Sequence, residues 1–66
     1  MELLLTEHAK QQMVTRGITI DQIKRTIQRG SRMKQTDGYL SSHTYLAVAW
    51  KKFGEYYKIK TVMVKD

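Results

Sequence analysis

The sequence predicts an α+β domain of order ααβββ, in which two N-terminal helices pack on one face of a three-stranded antiparallel sheet, with or without a short N-terminal strand. Three observations predict it. Two helix stops, Arg16-Gly17 and Arg29-Gly30, fall in the first half of the chain; Ile20, Ile23 and Ile27 recur at helical spacing before the second; and from Ser31 onward apolar and polar residues alternate around the turn signals Asp37-Gly38 and Lys51 to Gly54. With 66 residues and neither proline, repeat nor low-complexity run, residues 1–66 are expected to form a single domain. A chain this short buries only about 60% of its unfolded surface, so its core is thin.

Leu3 to Leu5 fits either a short strand or an apolar segment packed under the first helix. Thr6 can cap a helix from about Glu7 to Arg16, and Gly17 supplies its left-handed stop. Thr19-Ile20-Asp21-Gln22 is a capping-box pattern that opens the second helix, which Gly30 ends. Three strands follow: Arg32 to Thr36, Tyr39 to Trp50, and Glu55 to Val64.

On the first helix Ala9 and Met13 form the buried stripe, and His8, Gln12 and Arg16 lie along its border. In the long second strand Thr44, Leu46, Val48 and Trp50 should face the helices, which leaves His43 and Tyr45 on the open side. Burying Ile59 and Met63 in the last strand, and Met33 in the first, turns their polar neighbours outward. One open sheet face would then carry Arg32, Lys34, His43, Tyr45, Tyr56, Lys58 and Lys60. Such a face suits single-stranded nucleic acid, because cations neutralise phosphates and tyrosine rings stack on bases. An exposed antiparallel face of a basic protein also collects lysines and tyrosines for reasons of shape alone.

Twelve Lys and Arg against six Asp and Glu give a net charge of +6, which favours nucleic acid, an acidic protein or an anionic surface. Lys24, Arg25 and Arg29 lie on or beside the outer face of the second helix, the usual place for solvated charge, and could also dock an acidic protein partner. Trp50 reads as core, and Phe53 as core edge or partner contact. With no cysteine there is no disulfide framework, Leu3-Leu4-Leu5 is too short for a membrane span, and the cytoplasm is the expected compartment.

The six carboxylates are scattered and the two histidines lie far apart, so no metal site and no cofactor are expected. No Gly-rich phosphate loop or serine nucleophile motif is present either. What remains is metal-free phosphodiester cleavage, in which the 2′-hydroxyl of RNA attacks the adjacent phosphorus. The protein then needs a base, an acid and cations. His8 or His43 suits proton transfer, Lys58 could serve with a lowered pKa, and Arg16 and Lys60 would steady the phosphate oxygens. The plainer reading of His8 is a helix-start residue, and of Arg16 a cation on the last-turn carbonyls.

The segment His8-Ala9-Lys10-Gln11-Gln12-Met13-Val14-Thr15-Arg16-Gly17-Ile18 resembles the opening signature H-A-x-x-[RQ]-M-x-x-R-G-I of a family of very small domains of unknown function. That family is similar to RelE-like and BrnT-like toxin ribonucleases. The resemblance spans nearly the whole chain, although only this first motif is specific. It implies a two-helix and sheet plan and RNA cleavage without metal, with His8 and Arg16 at motif positions, and it makes the acidic partner of the second helix an antitoxin-like protein. Gln12 stands where arginine is frequent, and Thr61 matches a threonine of the closing strand, here Ile59-Lys60-Thr61-Val62.

The leading expectation is a metal-independent endoribonuclease of toxin type, or its degenerate relative, acting on single-stranded RNA. One alternative is a non-catalytic nucleic-acid-binding module using the same face. The other is a protein-interaction or regulatory domain, including a homodimer joined through an edge strand.

Overall fold

The computed structural model describes residues 1–65. Its elements are β1 (Glu2–Leu5), α1 (Glu7–Arg16), α2 (Ile20–Arg29), β2 (Ser31–Gln35), β3 (Gly38–His43), β4 (Leu46–Phe53) and β5 (Tyr56–Val64). They make an α+β fold with two helices on one face of a five-stranded sheet of order β1-β5-β4-β3-β2. The sheet is mixed, because β1 runs parallel to β5 while every other neighbouring pair is antiparallel. The expected three-stranded antiparallel sheet is therefore incorrect, for two separate reasons.

First, Leu3 to Leu5 do form a strand, and its partner is the far end of the chain: Leu3 registers with Tyr57 and Leu5 with Ile59. Second, the stretch from Tyr39 to Trp50 is two strands, since the chain reverses at Thr44-Tyr45 and brings His43 opposite Leu46. That turn contains neither glycine nor proline. Thr44 itself takes the positive φ, at 53°, that such a tight hairpin demands of its first central residue.

Both helices start as their capping residues dictate. The Thr6 hydroxyl accepts the Ala9 N–H at 3.1 Å, and Gly17 closes α1 at φ 66°. At α2 the capping box is complete: the Thr19 hydroxyl accepts the Gln22 N–H at 3.2 Å and the Gln22 side chain accepts the Thr19 N–H at 2.8 Å. Gly30, in contrast, is extended rather than left-handed. It is required because a Cβ there would fall on the backbone oxygens of Ser42 and Thr26.

The core lies between the helices and the sheet and consists of Ala9, Ile18, Ile23, Ile27, Leu46, Val48, Trp50, Ile59 and Val62. Leu46, Val48 and Trp50 face the helices as expected, and Ile20, the first isoleucine of the stripe, is 36% exposed and lies outside the core. Along β5 the phase changes. Ala49 pairs with Thr61 but Trp50 with Ile59, so Lys60 is an extra residue in a β-bulge. Ile59 faces the core before the bulge and Val62 after it; Met63, expected inside, is 36% exposed.

The bulge is also where α1 docks. β1 ends opposite Ile59, and beyond that point the outer edge of β5 is finished by side chains. The Thr6 hydroxyl donates to the Lys60 carbonyl at 3.3 Å, and the Val62 N–H donates to the Gln12 side-chain oxygen at 2.9 Å. Gln12 thus faces the sheet, while His8 and Arg16 on either side of it are exposed. No described helix is long and apolar enough to cross a membrane.

Candidate functional site

The structure separates the residues that the sequence placed together. His8 and Arg16 sit in the first and last turns of α1, about 12 Å apart along its axis at 1.5 Å per residue, and α1 covers the helix side of β5. Lys58 alternates with the buried Ile59 and so points to the opposite, open face, where it neighbours Lys51 and lines an apolar cleft with Leu4 and Phe53. Tyr56 is on that open face too, opposite Phe53. His8 and Arg16 therefore share no site with Lys58 across the sheet.

Arg32 and Lys34 are on the helix side rather than the open side. Arg32 registers with Ser41 and Lys34 with Tyr39, both on the helix side of β3, and Met33 is the outward residue at 65% exposure. β2 is an edge strand, every residue of which is exposed, so burial gave the sequence no phase to read. Lys60, at the bulge, is engaged by the β2–β3 turn: its ammonium donates to the Asp37 carbonyl and lies 3.8 Å from the Asp37 carboxylate. Lys51 reaches the same carboxylate at 2.8 Å. The Lys51 hydrogen bond and charge, with Lys60 and Lys58 adding to the field, hold the Asp37 carboxyl below its usual range.

Two predicted residues do meet, at the opposite end of β3. His43 and Tyr45 line a cleft of about 230 Å³ with Gln22, Arg25, Thr26, Thr44 and Leu46. The reversal at Thr44-Tyr45 is what brings them there, since it turns His43 to the helix side and lays Tyr45 against the start of α2. The Gln22 side-chain amide, whose oxygen completes the capping box, donates to the Tyr45 hydroxyl at 3.1 Å. Tyr45 thereby spends an acceptor lone pair and keeps its own proton to donate. Thr44 holds a backbone conformation costly for a β-branched residue, and its hydroxyl donates to the His43 carbonyl at 2.6 Å.

The cleft thus offers an imidazole, a phenol and a guanidinium beside α2. Arg25, read from sequence as solvated charge, was identifiable only once Gln22 was known to face the hairpin, because residues three apart share a helix face. Thr44 and Gln22 carried no functional signal at all.

A second basic arrangement occupies the middle of the same sheet face. Tyr39, Trp50 and Tyr57 form a ladder across β3, β4 and β5, with ring centroids 4.9 Å and 5.2 Å apart. The Arg32 guanidinium lies over it, 5.4 Å from the Tyr39 ring and 4.9 Å from the Trp50 ring, and the Lys52 ammonium stands 4.0 Å over Tyr57.

Across residues 5–64 the chain matches the model of a family described as a domain of unknown function (DUF4258). No curated protein and no solved structure matches it.

Proposed function

From the premise that the chain belongs to the DUF4258 family, we propose that it is a metal-independent endoribonuclease acting on single-stranded RNA, with its active site in the cleft between α2 and the β3–β4 turn. The observation that carries this reading is the convergence of His43, Tyr45 and Arg25 on one small cavity. The net charge of +6 supplies the attraction for a polyanion, and the resemblance to RelE-like and BrnT-like ribonucleases supports the same reaction class.

In this reaction the His43 imidazole takes the proton of the substrate 2′-hydroxyl. The 2′-oxygen attacks phosphorus, the bond to the 5′-oxygen breaks, and Tyr45 protonates that leaving oxygen, giving a 2′,3′-cyclic phosphate end and a 5′-hydroxyl end. Arg25 pairs with the charge that develops on the non-bridging oxygens. His8, Arg16 and Lys58, on other surfaces, have no role in the step.

The test is incubation of the purified protein with single-stranded RNA in excess chelator, with the ends of the products identified. Cleavage is expected, reduced about 10²–10⁴-fold in His43→Ala and about 10²–10³-fold in Arg25→Ala, with both variants folded by circular dichroism. His8→Ala should cleave as the parent does. RNA that stays intact, or a His43→Ala variant of undiminished rate, refutes the catalytic reading; RNA held but uncut leaves a binding module.

A further inference from the structure

The cation-capped aromatic ladder has no part in the proposed cleavage chemistry, and its arrangement goes beyond what core packing requires. Trp50 is 2% exposed and already donates its indole N–H to the Ser41 hydroxyl at 2.9 Å, so the ring is fully satisfied as a core residue. Its neighbours are not. Arg32 is exposed, Tyr39 and Tyr57 are half-buried, and Lys34 and Lys52 stand in solvent at the rim. Among the described residues the ion pairs are Lys10 with Glu7 and Asp37 with Lys51 and Lys60, so Arg32, Lys34 and Lys52 are all without a carboxylate partner.

Three unpaired cations around an aromatic floor on a chain of net charge +6 call for an anion with flat apolar groups. Single-stranded nucleic acid has both. An exposed arginine ordinarily loses rotamer freedom when it grips a phosphate or lies against a base. Here the Arg32 guanidinium already rests against Tyr39 and Trp50, 5.4 Å and 4.9 Å from their ring centroids, while the residue stays exposed, so part of that ordering precedes binding. Arginine planes and tyrosine rings are the groups on which unpaired bases stack.

We infer that Arg32, held over Tyr39 and Trp50 and flanked by Lys34 and Lys52, is a second contact surface for single-stranded RNA, where a base stacks on the guanidinium and the lysines take the adjoining phosphates. The inference rests on the proposed ribonuclease reading for its ligand and lies on the same strand as His43, since Tyr39 and His43 are four residues apart in β3, about 13 Å at 3.3 Å per residue. It assigns the surface a role in holding substrate, with no proton transfer.

The test uses a short 2′-O-methyl oligouridine, which lacks the nucleophile and is not cut. Trp50, the single tryptophan, is a built-in reporter beneath the surface. Binding is expected to change Trp50 emission and to weaken linearly on a log scale with salt. Arg32→Gln should lose about tenfold in affinity, and Arg32→Lys, which keeps charge but not the plane, should lose nearly as much. Arg32→Gln with Lys52→Gln should lose more, while His8→Ala, outside both proposed sites, binds as the parent does. Absence of binding, affinity unchanged by Arg32→Gln, full affinity in Arg32→Lys, or binding with no change in Trp50 emission each overturns the inference. Cleavage with Arg32-independent binding removes this surface alone; Arg32-dependent binding without cleavage removes only the ribonuclease.

Discussion

The side-chain oxygen of Gln12 accepts the backbone N–H of Val62 at 2.9 Å, fifty residues further along the chain. The contact completes a strand edge where β1 has run out. Truncating Gln12 to alanine leaves the Val62 amide without that partner and should lower unfolding free energy by about 1–2 kcal/mol. Gln12→Glu, which keeps an acceptor, should lose less at neutral pH. Urea denaturation of the three proteins decides it; equal midpoints would mean that the contact contributes nothing.

The bulge at Lys60 makes an opposite pair of predictions for adjacent residues. Val62 is fully buried and Met63 faces the open side. Val62→Ala should cost about 2 kcal/mol through lost burial and a residual cavity, and Met63→Ala within about 0.5 kcal/mol. Thermal unfolding of both measures the difference. A larger loss at Met63 would place the strand in the uninterrupted phase and remove the bulge.

Thr44, at φ 53°, is strained in a conformation that glycine adopts freely. Thr44→Gly should raise stability by about 0.5–1 kcal/mol, the left-handed penalty relieved less the extra chain entropy of glycine and the lost hydroxyl bond. If the strain serves to aim His43 and Tyr45, the same variant cleaves RNA more slowly while unfolding at higher temperature. Denaturation and cleavage rates measured on one preparation settle both parts.

Asp37 predicts a pH dependence whose sign is fixed by the lysines around it. Their charge lowers its carboxyl pKa in the folded state, so the folded protein binds fewer protons there than the unfolded one. The stability it contributes is present above the ordinary carboxylate range and is lost as pH falls through that range to the lowered pKa. The group is fully exposed, so the effect is small and salt-sensitive. Parent and Asp37→Asn should differ at pH 7 and low salt and converge in acid; a difference that grows toward low pH would contradict the assignment.

Much of the helical half was legible because its signals are local. Thr6, Gly17 and the Thr19–Gln22 box act within one turn of where they stand, and each does in the structure what its residue type dictates. The strands were less legible because their phase depends on partners far away. A single extra residue at Lys60 exchanged Val62 for Met63 in the core, and a glycine-free turn at Thr44 split one expected strand into two. The candidate site followed the strands. His43 and Tyr45 were chosen for their chemistry and placed on the wrong face, whereas Arg25 and Gln22 became relevant only through the turn that the sequence did not announce.

The pairing of β1 with β5 joins the second residue of the chain to the fifty-sixth. During synthesis the first strand emerges long before anything exists for it to lie against, and Leu3 and Leu5 wait with it. Helices, hairpins and the β4–β5 pair can all form between near neighbours, but this closure joins segments fifty-four residues apart, the slowest kind of contact to find. Folding should therefore finish at this seam, and it is where a chain shortened from either side would first come open.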